Sequence, residues 1–402
     1  MEDRNGKEVR TMAEDKLRSR TAWLLFGIMA FLSSIFAIQG ALLTHVIDEF
    51  HPDSYGQGLI ASLCSLGGCV AYISALFLIG RIRKTVLLWI GILISAVSLC
   101  LLTIVPGYGL FTAAWLLIGL GLGYMDALLS SCMADLYTGK RGLRMMCNLH
   151  TLYGVFSMGT PLLFSAMLEN GVNYRQIYLV PAGWGLVTFL LLGLVNRASA
   201  GEGTSAVHVE EPMSFSRMLK VLKNGTLPIF AVAVLCHGFF LGGLNNWITH
   251  YVGVTLADSL GGVALTFMYL GVLVSRFCMP YTGIPADRFI RFAGFGAGAL
   301  LLIGVPFGNG LIMCIATALS GLLFGAMIPC IMNVACEDTP ESSLLATSLL
   351  MLMLYIGEGV SSPVLGKLEA TVGLKWGIVL CAVFMVLTST VLCVGLRKRK
   401  IK

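Results

Sequence analysis

Of 21 acidic residues, only Asp126 and Glu358 fall in the middle of long apolar runs. A charged carboxylate at such a depth costs about 2.5–3.5 kcal/mol on membrane-insertion scales. It must face a cavity, pair with a cation, or hold a proton, and a group that alternates among these states can couple solute movement to a proton gradient. A hydrogen-bonded structural carboxylate is the plainer account of each. His150 stands near Asn148 and Tyr153 in another apolar run. An imidazole changes charge near neutral pH and can relay a proton or bond a hydroxyl, although many buried histidines only pack. Gln39, Asn245, Asn246 and Asn333 offer amide donors and acceptors. With the rings of Tyr153, Trp247 and Tyr355, they suit a neutral polyhydroxylated ligand with an apolar face. Trp247 also fits an interfacial belt, where Trp and Tyr collect. No Lys or Arg is assigned to the middle of a run, which disfavours strongly anionic solutes.

The elements that position these groups follow from composition. The chain of 402 residues is 57% hydrophobic and 12% charged, with a mean hydropathy of +0.85. Soluble domains carry about 25% charged residues, and a soluble fold could not cover so much apolar surface. Soluble enzymes, nucleic-acid binders, disulfide scaffolds and disordered chains are excluded. The twelve cysteines lie almost all in apolar runs and form no CxxC pair, so they read as small hydrophobes. No cofactor and no metal is expected.

A helix needs about 20 apolar residues to cross a bilayer. Such runs occur near 22–46, 57–79, 86–105, 109–133, 148–168 and 177–196, then near 227–252, 262–279, 292–308, 310–334, 343–366 and 374–396. The division around Pro306-Phe307-Gly308-Asn309-Gly310 is the least clear. The expected fold is an all-α integral membrane protein: twelve transmembrane helices in two pseudo-symmetric six-helix bundles. The bundles would cover 22–196 and 227–396. A polar, small-residue linker (197–226) with an amphipathic stretch near Phe215–Leu222 joins them, and tails cover 1–21 and 397–402. The first run is too long for a signal-peptide core and lacks a small-residue cleavage site, so it reads as a retained span.

Lys and Arg crowd one side. They fill the N-terminal tail, the 2–3 loop (Arg81, Arg83, Lys84), the 4–5 loop (Lys140, Arg141, Arg144), the linker, the 8–9 loop (Arg276, Arg288, Arg291) and the C-terminal tail. Arg175, Lys367 and Lys375 fall on the other. By the positive-inside rule both termini are cytoplasmic, in an inner or plasma membrane.

The halves repeat each other at an offset of about 202–205 residues. Tyr153 and Pro161 match Tyr355 and Pro363, Gly171 matches Gly373, Asp135 matches Glu337, and Thr44-His45 matches Thr249-His250. A repeated six-helix unit is an architecture of transporters that alternate access around a site near the midplane. The chain resembles the major facilitator superfamily over its whole length. Asp287-Arg288-Phe289-Ile290-Arg291 is similar to that superfamily's 8–9 loop motif. Gly80-Arg81-Ile82-Arg83-Lys84 keeps the basic residues of the 2–3 loop copy without its Asp and following Gly. Gly119-Leu-Gly121-Leu-Gly123-Tyr124-Met125-Asp126, then Asn148-Leu149-His150, is similar to the fucose permease and sugar transporter branch, as is Gly243-Leu244-Asn245-Asn246-Trp247. Many relatives carry a Glu shortly before that Trp, where Leu241 and Gly242 stand here.

The resemblance implies a secondary transporter of a small neutral polar solute, a sugar, with Asp126 and His150 coupling it to protons; Glu358 joins them by its position in the middle of an apolar run. Gln39, Tyr153, Asn245, Asn246, Trp247, Asn333 and Tyr355 would line its cavity. The symmetry of Asp135 and Glu337 suggests a cytoplasmic gate: Asp135 with Arg81 or Arg83, and Glu337 with Arg288 or Arg291, beside Asp287. Gly119 and Gly123 read as a small-residue face for close helix contact. The expected partners are the solute, protons and the lipid bilayer, with no nucleic acid and a monomer as the working unit. The rival reading is proton-driven efflux of lipophilic drugs, which the 19 methionines would suit. A membrane-embedded enzyme or receptor is more distant, because no catalytic constellation sits at one depth.

Overall fold

The apolar runs become helices because a backbone in hydrocarbon must satisfy its own hydrogen bonds. The computed structural model describes residues 2–52, 54–78, 80–202, 214–339 and 342–401. Sixteen helices follow one another among them: α1 (Glu2–Ala41), α2 (Leu43–Phe50), α3 (Ser54–Leu78), α4 (Lys84–Leu102), α5 (Tyr108–Leu136), α6 (Gly139–Glu169), α7 (Tyr174–Ile177) and α8 (Leu179–Glu202) precede the linker. After it come α9 (Phe215–Asn224), α10 (Leu227–His250), α11 (Gly261–Cys278), α12 (Ala286–Gly304), α13 (Gly310–Phe324), α14 (Met327–Asp338), α15 (Ser343–Thr371) and α16 (Leu374–Ile401). Among the described residues eleven segments are long and apolar enough to span a membrane, and the shorter apolar stretch Ser62–Leu78 of α3 completes twelve. The tenth span is α13 and α14 together, interrupted at Gly325-Ala326.

Where the sequence divides spans weakly, the backbone shows the reason. After α12 the chain tightens into a 3-10 turn, Gly308 adopts a left-handed φ of 58°, and the Asn309 side chain caps the amide of Ile312 at 3.0 Å. The repeat is visible in the same currency. Gly171 and Gly373, matched by offset, both take positive φ (79° and 94°), and so do Gly80 and Gly283 (69° and 71°). Only glycine enters that region without a steric cost, so these matches reflect shared turns.

Two compact units emerge. One contains residues 1–137 and 155–213, the other 138–154 and 214–402. The first half of α6 thus packs with the second unit and its remainder with the first. Within the first unit, α3 and α5 approach so closely that a Cβ on Gly123 would lie 2.6 Å from the Ala71 Cβ, and one on Gly119 would strike the Cys64 backbone. In the second unit, α11 and α13 repeat the arrangement: Gly271 faces the Ala318 carbonyl and Gly321 the Met268 carbonyl. The small-residue face expected at Gly119 and Gly123 is thereby found, and its counterpart recurs at the repeat offset. Side chains such as Leu162 and Leu194 are exposed, as lipid-facing positions of a membrane helix are.

Candidate functional site

In the first unit the central feature is Asp126 on α5. It is half-buried, and the buried Tyr72 of α3 donates its hydroxyl to Oδ2 at 2.9 Å. Two residues along each helix, the Ser74 and Tyr124 hydroxyls meet at 2.7 Å. These contacts exist because the glycine face removes the side chains that would otherwise hold α3 and α5 apart. Among the described residues no cation lies within ion-pair distance of Asp126.

Asp135, at the end of α5, is tied down differently. Its carboxylate is held at 2.7 Å by Lys84, the first residue of α4, with the two side chains only 8% and 3% exposed. The expected partners Arg81 and Arg83 are exposed instead. Lys84 wins because helix α4 starts with it, so its side chain points along the packed α4–α5 face, while the arginines lie in the preceding turn.

At the opposite end of this unit, Arg175 of α7 forms a hub. Its Nε lies 3.1 and 3.0 Å from the two Glu49 oxygens, its Nη1 donates to the Val105 carbonyl at 2.8 Å, and its guanidinium lies over the Phe50 ring. The Tyr174 hydroxyl also donates to Glu49. The Arg175 hydrogen bonds hold the Glu49 carboxyl below the usual carboxylate range.

The second unit gathers more of the expected residues. Asn245 of α10 accepts a hydrogen bond from the Tyr269 hydroxyl of α11 at 3.0 Å, and Glu358 on α15, half-buried, lies within electrostatic reach of that tyrosine. Arg276 of α11 donates from Nε to the Gly325 carbonyl at 3.0 Å and from Nη1 to the His150 carbonyl at 3.1 Å. Tyr153, Tyr269 and Cys147 lie within electrostatic reach of its charge. His150 is buried, at 7% exposed. His237 of α10 is also buried and close to Arg276, and its Nδ1 has no hydrogen-bond partner among the described residues.

The sequence places Arg276 both inside the run 262–279 and among the 8–9 loop cations; the structure decides for the membrane-spanning segment, Val263–Tyr281. Its guanidinium reaches the break between α13 and α14, midway along the tenth span. A signal was present: Phe277-Cys278-Met279 continues the apolar run beyond the arginine. An anionic solute is therefore no longer disfavoured by the cations of this chain. Tyr72, Tyr269, Lys84 and the Arg175–Glu49 pair also escaped sequence reasoning, because partners on different helices carry no mark of each other along the chain.

Other expected residues lie elsewhere. Asn333 is buried and spends its amide on Glu337, one turn along α14, at 3.0 Å. Arg288, an expected partner of Glu337, is exposed, and the buried Nε of Arg291 has no partner among the described residues. Trp247 stacks edge-on to His250 at 6.0 Å near the end of α10, where His250 Nε2 meets Glu369 Oε1 at 2.7 Å. Asn246 is exposed, and Asp287 and Tyr355 are half-buried. Gln39 lies on α1, with its side chain outside the described residues. An apolar groove between α10, α15 and α16, lined by Phe239, Val360 and Phe384 among others, contains none of the candidate residues.

With that geometry in place, the comparisons are decisive for the family. The sequence profile of the Major Facilitator Superfamily matches residues 24–344. The chain belongs to the Major Facilitator Superfamily. This is a family of membrane transporters. No curated protein matches the sequence. Among solved structures, this superfamily member is similar to FucP, an E. coli fucose:proton symporter, in the outward conformation. The TM-score is 0.79 at 18% identity, covering 93% of this chain and 98% of that one. It is also similar to the human organic anion transporter TETRAN (TM-score 0.77, 12% identity, 93% and 99% covered). A third likeness is to the proton:xylose symporter XylE bound to 6-bromo-6-deoxy-D-glucose (TM-score 0.72, 10% identity, 94% and 95% covered). At these identities the likeness establishes the fold, and the fold expected from the sequence is the one found.

Proposed function

We propose that this superfamily member carries a small polar solute, a sugar, across the membrane by proton-coupled alternating access. The observation that carries the reading is Asp126: a carboxylate inside a spanning helix, held by a neutral hydroxyl, with no cation within ion-pair distance among the described residues. An ionised carboxylate is costly there, so Asp126 takes up a proton when its surroundings dry and releases it when water returns. Glu358, near Tyr269 and Asn245, is the matching candidate in the second unit, with His150 and Tyr153 beside Arg276. Similarity to fucose:proton and proton:xylose symporters supports the same reading. Tyr153, Asn245, Asn246, Trp247, Tyr355 and Gln39 remain the proposed solute contacts. Asn333 instead joins the proposed cytoplasmic gate with Asp135, Lys84, Glu337, Asp287, Arg288 and Arg291.

Proteoliposome uptake of a sugar panel, with and without an inward proton gradient, tests the reading. Gradient-driven accumulation lost in Asp126→Asn sustains it. Uptake that ignores the gradient and both Asp126→Asn and Glu358→Gln removes coupling. Extrusion of lipophilic drugs with no sugar uptake establishes efflux instead. Changed cysteine accessibility in Arg288→Ala supports the gate, and unchanged accessibility removes Arg288 from it.

A further inference from the structure

Arg276 is a cation within a membrane-spanning segment, and among the described residues no carboxylate lies within ion-pair distance of it. Two of its nitrogens are committed to backbone carbonyls, Nε to Gly325 and Nη1 to His150. These bonds fix the guanidinium between the first half of α6 and the break in the tenth span. Ser275, the preceding residue, accepts the Ala326 amide at 3.1 Å on the other side of that break. The remaining nitrogen, Nη2, has no protein partner among the described residues. Nearby, His237 is 1% exposed and its Nδ1 is likewise unpartnered. Tyr153 and Tyr269 lie within electrostatic reach of the same charge, and Tyr269 donates its hydroxyl to Asn245.

A donor needed only to satisfy one carbonyl at a helix break could be neutral. A charge kept inside a membrane without a fixed counter-charge is costly, and the cost falls when an anion arrives to pair with it. Guanidinium is also the side chain best shaped to receive a carboxylate. Lys84 and Arg175 of the first unit already have carboxylate partners, and Arg81 and Arg83 are exposed. In the second unit Arg291 also carries a buried Nε without a partner among the described residues, but it is Arg276 that reaches the break in the tenth span. Its single positive charge suits a single negative charge on the solute. The amide and phenol groups around it suit hydroxyls.

We propose that the transported solute is a polyhydroxylated monocarboxylate, a sugar acid, whose carboxylate is received by Arg276 through Nη2, with His237 as a second polar contact. This rests on the transport reading above and replaces the neutral solute expected from the sequence. A monoanion carried inward with one proton moves no net charge.

The test uses purified full-length protein in detergent, with no gradient, and measures binding of D-glucuronate, D-gluconate, D-glucose and D-glucitol by calorimetry. The sugar acids are expected to bind and their neutral counterparts to bind about tenfold to a hundredfold more weakly, the effect of one charge-assisted hydrogen bond. Arg276→Gln is expected to abolish that preference and Arg276→Lys to keep part of it. The wild-type comparison stands even if Arg276→Gln does not fold. Neutral sugars binding as well as the acids, or better, overturns the anionic solute and leaves sugar transport intact. A preference unchanged in a folded Arg276→Gln removes Arg276 as the receiver. Absence of binding by all four overturns the sugar-acid proposal, and uptake in the proteoliposome panel then decides the transport reading separately.

Discussion

The Tyr72 hydroxyl donates to Oδ2 of Asp126 at 2.9 Å, joining α3 and α5 across a contact where neither backbone leaves room for a methyl group. Asp126 is thus the proposed proton carrier with its position fixed by a neutral partner. Replacing it by Asn keeps the shape and removes the proton site. Asp126→Asn is expected to lose gradient-driven accumulation while retaining counterflow of labelled solute across loaded vesicles. Tyr72→Phe is expected to lower accumulation several-fold with counterflow again preserved. Loss of both activities together, in a protein that remains monodisperse, would assign Asp126 to solute binding instead.

The helix contact itself is open to a stability measurement. In Gly119→Ala the new Cβ meets the Cys64 backbone, whose carbonyl carbon would lie at 2.7 Å. Backbone cannot rotate away as a side chain can, and overpacking of this kind costs about 1–3 kcal/mol. Gly109, in the first turn of the same helix, has open space around it. Thermal unfolding in detergent should fall clearly for Gly119→Ala and stay level or rise for Gly109→Ala. Equal effects at the two positions would reject the close-packed face.

The buried pair Lys84–Asp135 makes a prediction of a different kind. Removing one partner strands a charge, at a cost of about 3–5 kcal/mol, whereas replacing both with apolar residues is often neutral or stabilising. Lys84→Met and Asp135→Leu should each reduce folded yield and melting temperature, and the double substitution should recover most of the loss. Additive losses would mean that the two residues act independently.

Glu49 gives a pH dependence. Arg175 lowers its proton affinity in the folded state, so the stabilisation is present above the ordinary carboxylate range. It is lost as pH falls through the depressed folded value. Hydrogen exchange of the α2 amides should be faster in Glu49→Gln than in the native chain at pH 7, and the ratio should approach one in acid. A ratio near one already at pH 7 would show that the Arg175 contact does not hold α2.

Much of this protein is determined locally along the chain. Runs of apolar residues long enough to cross a bilayer dictate helices, because hydrocarbon offers no partner for a free backbone group. Their spacing and the repeat at Gly171 and Gly373 therefore told the architecture, and Gly119 and Gly123 told of a close contact. What the chain could not tell is which side chains meet. Asp135 pairs with Lys84 instead of a neighbouring arginine because α4 begins one residue after Arg83, and a shift of one residue turns a helical side chain by about 100°. Asn333 turns to Glu337 because residues four apart share a helix face. Arg276 lies near the end of its apolar run, and only the break at Gly325-Ala326 and the path of α6 decide that its charge points inward. Hydrophobicity is a property each segment carries alone, whereas ion pairs and hydrogen bonds need two distant segments at one depth and one rotation, which packing alone supplies.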